Sequence, residues 1–420
     1  MGRRSALLTK GILVAWIVSL ALGTRYVFGQ PQDFGANQHL EYTRLFLPLS
    51  ALVSVALIVA LRRYAPRLSL RSFFALLALV VAVAIGANRA LRPDLAVWWF
   101  ALLCTYGLTT VLVYRYCQRD AAARQLLGQT VFAVAAVEAS LGLLQFALGH
   151  SLGLWRLGEP VANDTTLGVA KLAIGTVKLL RPFGTFPHAN LFGAFCVVGL
   201  CAYALANKNK DRSSTLEKVG AGLVTLGLIV SFSRSAWLSG LVALLAIFVL
   251  GGRSRWRVTG TTIVVALLGI VAFVPLLTGR FNLSEQTQQL DIRNSLSSAA
   301  AEVLQQNPLV GVGLRNFVPV LQARHPDWQP FELQPVHNVG LLLAAEVGLL
   351  GVAAILALCI PLLRSPRIGD LATFLVLLPL ATLDHYLISI PQGVGIAVLL
   401  ILLLTNLSVP RETKKFLTKH

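Results

Sequence analysis

The chain has 420 residues, of which 56% are hydrophobic and only 13% are charged, and its mean hydropathy is +0.71. Soluble globular proteins carry about 25% charged residues, so this composition excludes a water-soluble enzyme as well as a disordered, coiled-coil or collagen-like chain. The net charge of +18 would suggest nucleic-acid binding in a soluble protein. In a membrane protein the positive-inside rule explains the same charge, and we expect no nucleic-acid partner.

Apolar segments long enough to cross a membrane, or nearly so, recur along the whole sequence. In chain order they are 11–28, 45–61, 73–87, 95–114, 126–148, 188–206, 219–232, 236–250, 258–277, 338–363, 371–388 and 393–409. The pattern predicts an all-α integral membrane protein with about 12 transmembrane helices, since one span needs about 20 residues. We expect a single polytopic membrane domain over residues 1–420.

Basic residues are concentrated in alternate connections between these segments. With the N-terminus in the cytoplasm, every second connection is short and rich in Lys and Arg, as in residues 62–71, 115–124, 208–218 and 253–257. The positive-inside rule therefore predicts that both termini are cytoplasmic.

Two connections on the opposite side, residues 149–187 and 278–337, are too long to be simple turns. Loops of this length are usually functional or disordered. The second contains a helix-like stretch, residues 294–306, which breaks at Asn307-Pro308 and at Gly311 and Gly313. It is predicted to form amphipathic helices that lie on the membrane surface.

Several arginines on this outer side are not explained by topology. Arg181 precedes the sixth segment, Arg234 lies in the tight hairpin between the seventh and eighth, and Arg293 lies in the long second loop. Guanidinium groups suit phosphates because their planar fork donates two parallel hydrogen bonds and stays charged. A group of them at one membrane face would bind a lipid diphosphate, and Arg315, which follows the glycine pair, is a weaker candidate.

His337 lies where the second long loop meets the tenth apolar segment. Imidazole titrates near neutral pH and can accept a proton from a sugar hydroxyl, although a lone histidine at such a place is more often structural. The outer loops contain no DxD or HExxH motif and no carboxylate cluster, so we predict no metal site and no cofactor. The five cysteines lie in or beside apolar segments and form no pairing pattern.

The motifs around these residues resemble those of a known family. Residues 307–317 (NPLVGVGLRNF), His337-Asn338 and residues 346–351 (EVGLLG) are similar to the signature of the O-antigen ligase and O-antigen polymerase superfamily. Residues 232–237 (FSRSAW) and 181–185 (RPFGT) resemble its upstream motifs.

The resemblance implies a GT-C-like, metal-independent enzyme at the periplasmic face of the bacterial inner membrane. A ligase of this family moves a glycan from undecaprenyl diphosphate to a sugar hydroxyl of lipid A–core, so its partners are that donor, that acceptor and membrane lipids. By resemblance the catalytic residue is His337, as the base or activating residue, and the family's essential arginines match Arg181, Arg234 and Arg293 best. Candidates for supporting contacts are Arg315, Asn338 and His188.

We predict an O-antigen ligase that inverts the anomeric centre in a single displacement. One alternative is the polymerase of the same superfamily, whose acceptor is a growing lipid-linked glycan, and another is a protein O-glycosyltransferase. A polytopic lipid flippase or solute transporter, from a different class, fits the number of spans. It would predict broken helices and charges at the middle of the membrane, whereas the cations here cluster at one interface beside a long loop.

Overall fold

The computed structural model describes residues 3–28, 42–163, 165–166, 169–174, 177–279, 283–329, 331–364 and 367–409. The basic residues of 411–419, which the sequence assigns to a cytoplasmic tail, lie outside this part of the chain. The helices are α1 (Arg3–Ala21), α2 (Leu49–Leu61), α3 (Leu70–Arg89), α4 (Pro93–Arg119), α5 (Ala121–Leu148), α6 (Ala189–Asn207), α7 (Thr215–Val230), α8 (Arg234–Leu250), α9 (Arg255–Gly279), α10 (Leu283–Gln306), α11 (Phe317–Arg324), α12 (Val339–Arg364), α13 (Ile368–Leu383), α14 (Tyr386–Ser389) and α15 (Pro391–Leu407). Two antiparallel hairpins pair β1 (Arg25–Val27) with β2 (Phe46–Pro48), and β3 (Lys171–Ile174) with β4 (Val177–Leu180).

Each apolar segment predicted from the sequence contains a helix in the structure, although β1 lies within the first segment and β2 within the second. The chain is an all-α membrane protein. The corresponding helices are α1 to α9, α12, α13 and α15. Seven of the described helices are long and apolar enough to cross a membrane on length and composition, namely α1, α3, α4, α5, α6, α9 and α12. The helices α8, α13 and α15 are apolar but shorter, with 16 or 17 residues each.

Helix α6 forms the centre of the bundle and packs against α5, α7, α8 and α15. Of the residues in its apolar stretch, 94% are buried, whereas only 11% are buried in that of α9. Glycine permits this close packing, because a Cβ added at Gly199 would lie 2.7 Å from Ala135 of α5. The exposed apolar surface of α9 and other peripheral helices therefore has the character of a lipid-facing surface.

The glycine motif of the long loop pairs with a break in α12. Gly348 has φ of +65°, inside the helix. The loop fills the gap, since Val312 N donates to Ala345 O (3.0 Å) and Gly313 N donates to Glu346 O (2.8 Å). A Cβ at Gly348 would lie 2.3 Å from the backbone of Leu309, so no larger residue fits there. The two stretches that resemble the family signature, 307–317 and 346–351, are therefore joined by backbone hydrogen bonds in the folded chain.

The described part of the long loop contains helices α10 and α11, and α10 begins at Leu283 rather than at Asn294, where the predicted stretch starts. Its apolar face, including Leu296 and Ala300, packs against Leu342 of α12 and its neighbours. This contact with α12 anchors the helix to the bundle, beyond the surface position expected from the sequence. The other long loop contains a short 3₁₀ helix (Trp155–Leu157) and the β3–β4 hairpin.

Candidate active site

His337 lies at the junction of the long loop and α12. The next residue, Asn338, caps α12 by accepting a hydrogen bond from Leu341 N (2.9 Å), which fixes the backbone beside the histidine. The imidazole Nδ1 lies 3.5 Å from Asp384 Oδ1, and Nε2 lies 3.0 Å from Gln334 Oε1. The His337 side chain is 20% exposed and that of Asp384 only 6%, so the histidine is the member of the pair that a substrate can reach.

Asp384 follows the last residue of α13 and is surrounded by hydrogen-bond donors. Its Oδ2 accepts from Asn190 Nδ2 (2.8 Å), and its Oδ1 accepts from the backbone N–H of His385 (2.9 Å). The imidazoles of His337 and His385 lie 3.5 Å and 4.0 Å from Oδ1. Hydrogen bonds donated to a carboxylate favour its ionised form, so these contacts favour an ionised Asp384 beside His337.

Arg181 joins this carboxylate to the turn between α7 and α8. Its guanidinium Nε and Nη2 donate to Ser231 O (2.9 and 2.7 Å), and Nη2 also donates to Asn190 Oδ1 (2.9 Å). Asn190 thus accepts from Arg181 and donates to Asp384, which fixes the orientation of its amide. Because Arg181 is only 5% exposed, these contacts give it a positioning role, and its predicted contact with the diphosphate stays a prediction.

Arg234 is the first residue of α8. The preceding backbone turns sharply at Phe232, which has φ of +49°, and Ser233 Oγ accepts from a backbone N–H of the first turn of the helix. The beginning of a helix carries partial positive charge and unpaired N–H groups, which favour an anion. Because Arg181 and Asn190 connect Ser231 O in the preceding turn to Asp384, the beginning of α8 lies near that carboxylate.

Arg293 lies within α10, on the helix that packs against α12. Its neighbours Ile292 and Leu296 belong to the same apolar cluster as Val336, the residue before His337. The Arg293 side chain is partly buried and makes no hydrogen bond or ion pair with any residue that the structure describes, Asp291 included. Arg293 therefore lies beside the apolar cluster that includes the residue before His337. Its predicted diphosphate contact remains a prediction.

Arg315 is buried in an aromatic cage. It is 3% exposed, its Nε donates to Tyr42 O (2.9 Å), and its guanidinium carbon lies 4.3 Å from the centre of the Trp99 ring. Its Nη1 donates to Ser389 O (3.3 Å), and Ser389 Oγ lies 2.6 Å from His385 Nδ1. These contacts position the segment that follows Asp384.

The two other predicted supporting residues cap helices at the site. His188 Nδ1 accepts from Asn190 N (3.0 Å) at the beginning of α6, and Asn338 caps α12. His188 therefore fixes the residue that holds Asp384, while Asn338 fixes the backbone of His337. Both act on the geometry of the His337–Asp384 pair.

Three side chains at this site could together hold a metal ion. One ligand atom from each of His337, Asp384 and His385 lies within 4.8 Å of the others. Two imidazoles and a carboxylate are a common set of ligands for catalytic metals. Sequence reasoning missed this group because its members come from two distant segments, so the expected absence of a metal stays a prediction to be tested.

Sequence reasoning also did not select Asp384 and Asn190. Asp384 does carry a signal in the sequence, because it is an ionisable residue within or near an apolar segment, and such residues are functional candidates in membrane proteins. The sequence did not connect it with His337. Asn190 carries no comparable signal, since an amide near the beginning of a helix is common. Only the folded chain brings it between Arg181 and Asp384.

Comparison with protein families confirms the resemblance. The family model described as O-antigen ligase matches residues 219–356, which include most of α7, all of α8 to α11, His337 and the greater part of α12. The match supports a membrane glycosyltransferase-like enzyme of the O-antigen ligase and polymerase superfamily, which implies a bacterial membrane, a lipid-linked glycan and a lipid acceptor. No curated protein and no solved structure matches the chain.

Proposed function

We propose that the protein is an O-antigen ligase, a GT-C-like enzyme of the bacterial inner membrane. It would transfer a glycan from undecaprenyl diphosphate to a sugar hydroxyl of lipid A–core at the periplasmic face. The observation that supports this most directly is the His337–Asp384 pair, in which a partly exposed imidazole lies 3.5 Å from a buried carboxylate. The pair lies near the beginning of α8, since Asn190 and Arg181 connect Asp384 to Ser231 O in the turn before that helix. Arg234 and the helix terminus there favour an anion.

In the proposed reaction His337 accepts the proton of the acceptor hydroxyl. Asp384 faces Nδ1, so it holds the tautomer in which Nδ1 carries the proton and Nε2 is the base. Gln334 Oε1, which is itself an acceptor, lies 3.0 Å from Nε2, so Gln334 has to move away before Nε2 can accept the proton of the acceptor hydroxyl. As the oxygen attacks the anomeric carbon, the proton moves to Nε2 and the bond to the diphosphate breaks. A single displacement of this kind inverts the anomeric centre.

The leaving diphosphate carries more negative charge in the transition state than in the bound donor. Fixed positive groups at that place stabilise the transition state selectively. We assign this role to Arg234 and the N–H groups at the beginning of α8, with Arg293 approaching from α10. Arg181 supports the same turn through Ser231 O, so its removal would act on the diphosphate site as well as on Asn190.

A transporter is expected to contain broken helices, and α12 is broken at Gly348. The break, however, is filled by the backbone of the long loop, because Leu349 N donates to Pro308 O (2.8 Å) and Leu350 N donates to Leu309 O (3.0 Å). The nearby Glu346 carboxylate is engaged by Tyr42 OH. This arrangement locks the loop to α12 and leaves the paired backbone groups unavailable to a transported solute, which favours the enzyme.

The family match does not distinguish a ligase from a polymerase, but the lipopolysaccharide of a strain that lacks this protein does. Lipopolysaccharide from that strain is separated on a gel, and undecaprenyl-linked glycan is measured in parallel. A ligase predicts loss of every O-antigen-capped species together with accumulation of the lipid-linked glycan. Survival of cores capped with one repeat unit would identify a polymerase, and an unchanged gel would refute both assignments.

A further inference from the structure

A cavity of about 290 Å³ lies far from His337, at the opposite end of α13. It is lined by Tyr114, Arg115, Gln118, Arg119 and Arg367. Helix α13 has 16 residues and separates the cavity from Asp384 by about 24 Å at a rise of 1.5 Å per residue. The cavity is thus at the end of the molecule that the positive-inside rule assigns to the cytoplasm, and it is separate from the proposed active site.

The positive charge in this cavity is not neutralised by the protein. Among the described residues, none of Arg115, Arg119 and Arg367 forms an ion pair with a carboxylate. The acidic residues next to them in sequence are used elsewhere, since Asp120 caps α5 and Asp370 accepts from the backbone N–H of Arg367. A topological charge bias requires basic residues near the membrane, but it does not require three of them to converge on one cavity.

Two of the arginines have features expected of a binding site. Arg115 Nε is buried and has no hydrogen-bond partner, which is costly unless a ligand supplies an acceptor. Arg367 Nη1 donates to Tyr114 OH (2.7 Å), and this contact holds its guanidinium at the cavity. A phosphate group fits these donors because each guanidinium can bind two of its oxygens.

Exposed apolar side chains lead away from both arginines along their helices. On α4, Val111 and Leu108 lie four and seven residues before Arg115, on the same helix face, and are 41% and 44% exposed. On α13, Leu371 lies four residues after Arg367 and is 54% exposed. A ligand with a phosphate at the arginines and long apolar chains along these faces would cover both surfaces. A free phosphate ion would contact only the arginines and would leave the apolar faces uncovered.

We propose that this cavity binds the phosphate headgroup of an anionic membrane lipid, with its acyl chains along the exposed faces of α4 and α13. Basic pockets between membrane helices on the cytoplasmic side bind such headgroups by the same chemistry. The proposal does not depend on the reaction at His337. The bound lipid would join α4 to α13, which both pack against α15.

The test is a titration of the purified full chain in detergent, read by native mass spectrometry. The probes are dioleoyl-phosphatidylglycerol, dioleoyl-phosphatidylcholine and inorganic phosphate. We expect saturable binding of the anionic lipid alone. An arginine near an anionic lipid headgroup is worth a factor of about five in affinity, so the double variant Arg115→Gln/Arg367→Gln should bind on the order of 25-fold more weakly. If that variant fails to fold, Arg119→Gln, at an exposed position, should still lose about fivefold.

The matched control is Arg71→Gln, which removes one exposed basic residue at the beginning of α3, predicted to be on the same side but outside the cavity. It should keep wild-type affinity. Equal loss in Arg71→Gln and Arg119→Gln would mean that only general surface charge attracts the lipid, and would overturn the proposal. Equal affinity for phosphatidylcholine, or binding of inorganic phosphate without binding of the anionic lipid, would overturn it as well.

Discussion

Replacing Asp384 by Asn tests whether the carboxylate beside His337 contributes to catalysis. An amide has nearly the same shape and can still accept from Asn190 Nδ2 through its oxygen. Its NH₂ group would then face His337 Nδ1 and donate to it, which favours the tautomer that has the proton on Nε2 and cannot act as the base. The variant also removes the charge that stabilises the imidazolium.

The size of the effect follows from the distance between Asp384 Oδ1 and His337 Nδ1. At 3.5 Å and an effective dielectric constant of about 20, two unit charges attract by about 5 kcal/mol. Partial exposure of His337 weakens this attraction, so we expect Asp384→Asn to lower kcat by about 10²- to 10³-fold.

The assay is transfer of glycan from purified lipid-linked donor to acceptor, with kcat and KM for the donor measured separately. We expect kcat to fall and the donor KM to stay near the wild-type value, because the proposed diphosphate contacts lie on α8 and α10. Asp94→Asn is the matched control, since its ion pair with Arg92 is 40% exposed on the Asp94 side and should contribute little. Wild-type kcat in Asp384→Asn would refute the proposed pairing, and a large rise in donor KM would place Asp384 in the diphosphate site instead.

Three further predictions concern the same site. His337→Ala should lower turnover by at least about 10²-fold while donor binding survives. His337→Gln should be nearly as inactive, because an amide cannot accept the proton. Near-normal turnover in the Gln variant would make His337 a positioning residue. Arg234→Lys keeps the charge but loses the guanidinium fork, so we expect a large loss of activity with normal membrane insertion, and wild-type turnover would reduce Arg234 to a positional charge. Transfer by purified protein should continue at an undiminished rate in excess EDTA, whereas loss of activity that Mg²⁺, Mn²⁺ or Zn²⁺ restores would assign a metal to His337, Asp384 and His385.

The helices could be predicted from the sequence because each apolar segment must satisfy its backbone hydrogen bonds within itself in a membrane. The same argument could not predict how the helices pack. The central burial of α6 depends on small residues such as Gly199. The mean hydropathy of α6 is lower than that of the peripheral α9, so hydropathy alone would not have placed α6 at the centre. The beginning of α10 at Leu283 was also missed, because its first turns are polar and lack the periodicity on which the prediction relied.

The candidate site was predictable only in part. His337 and the arginines could be selected because the positive-inside rule does not account for basic residues in the connections predicted to lie on the outer side of the membrane. Their roles depend on contacts between distant segments, which spacing does not reveal. Arg315 illustrates this, since the sequence offered it as a weaker candidate for a diphosphate contact, and the structure stacks it on Trp99 inside the bundle. The glycine motif similarly serves the architecture, by closing the break at Gly348.

The orientation of the whole chain is the last prediction, and the structure decides which positions can test it. Cysteine labelling needs exposed sites, so Ala300 is unsuitable because it is fully buried on α10. Gln305 on the same helix and Asn209 after α6 are exposed. In a cysteine-free background, a reagent that does not cross the membrane should label Gln305→Cys in intact spheroplasts.

The Asn209→Cys variant should react only after the membrane is opened. The physical reason is the charge bias, since Asn209 lies in a connection rich in lysine and arginine whereas α10 leads to His337. The reverse pattern would place the His337–Asp384 pair in the cytoplasm. A periplasmic glycan transfer at that pair would then be impossible, whatever the activity of the variants, and the arginine cavity between α4 and α13 would face the outer leaflet.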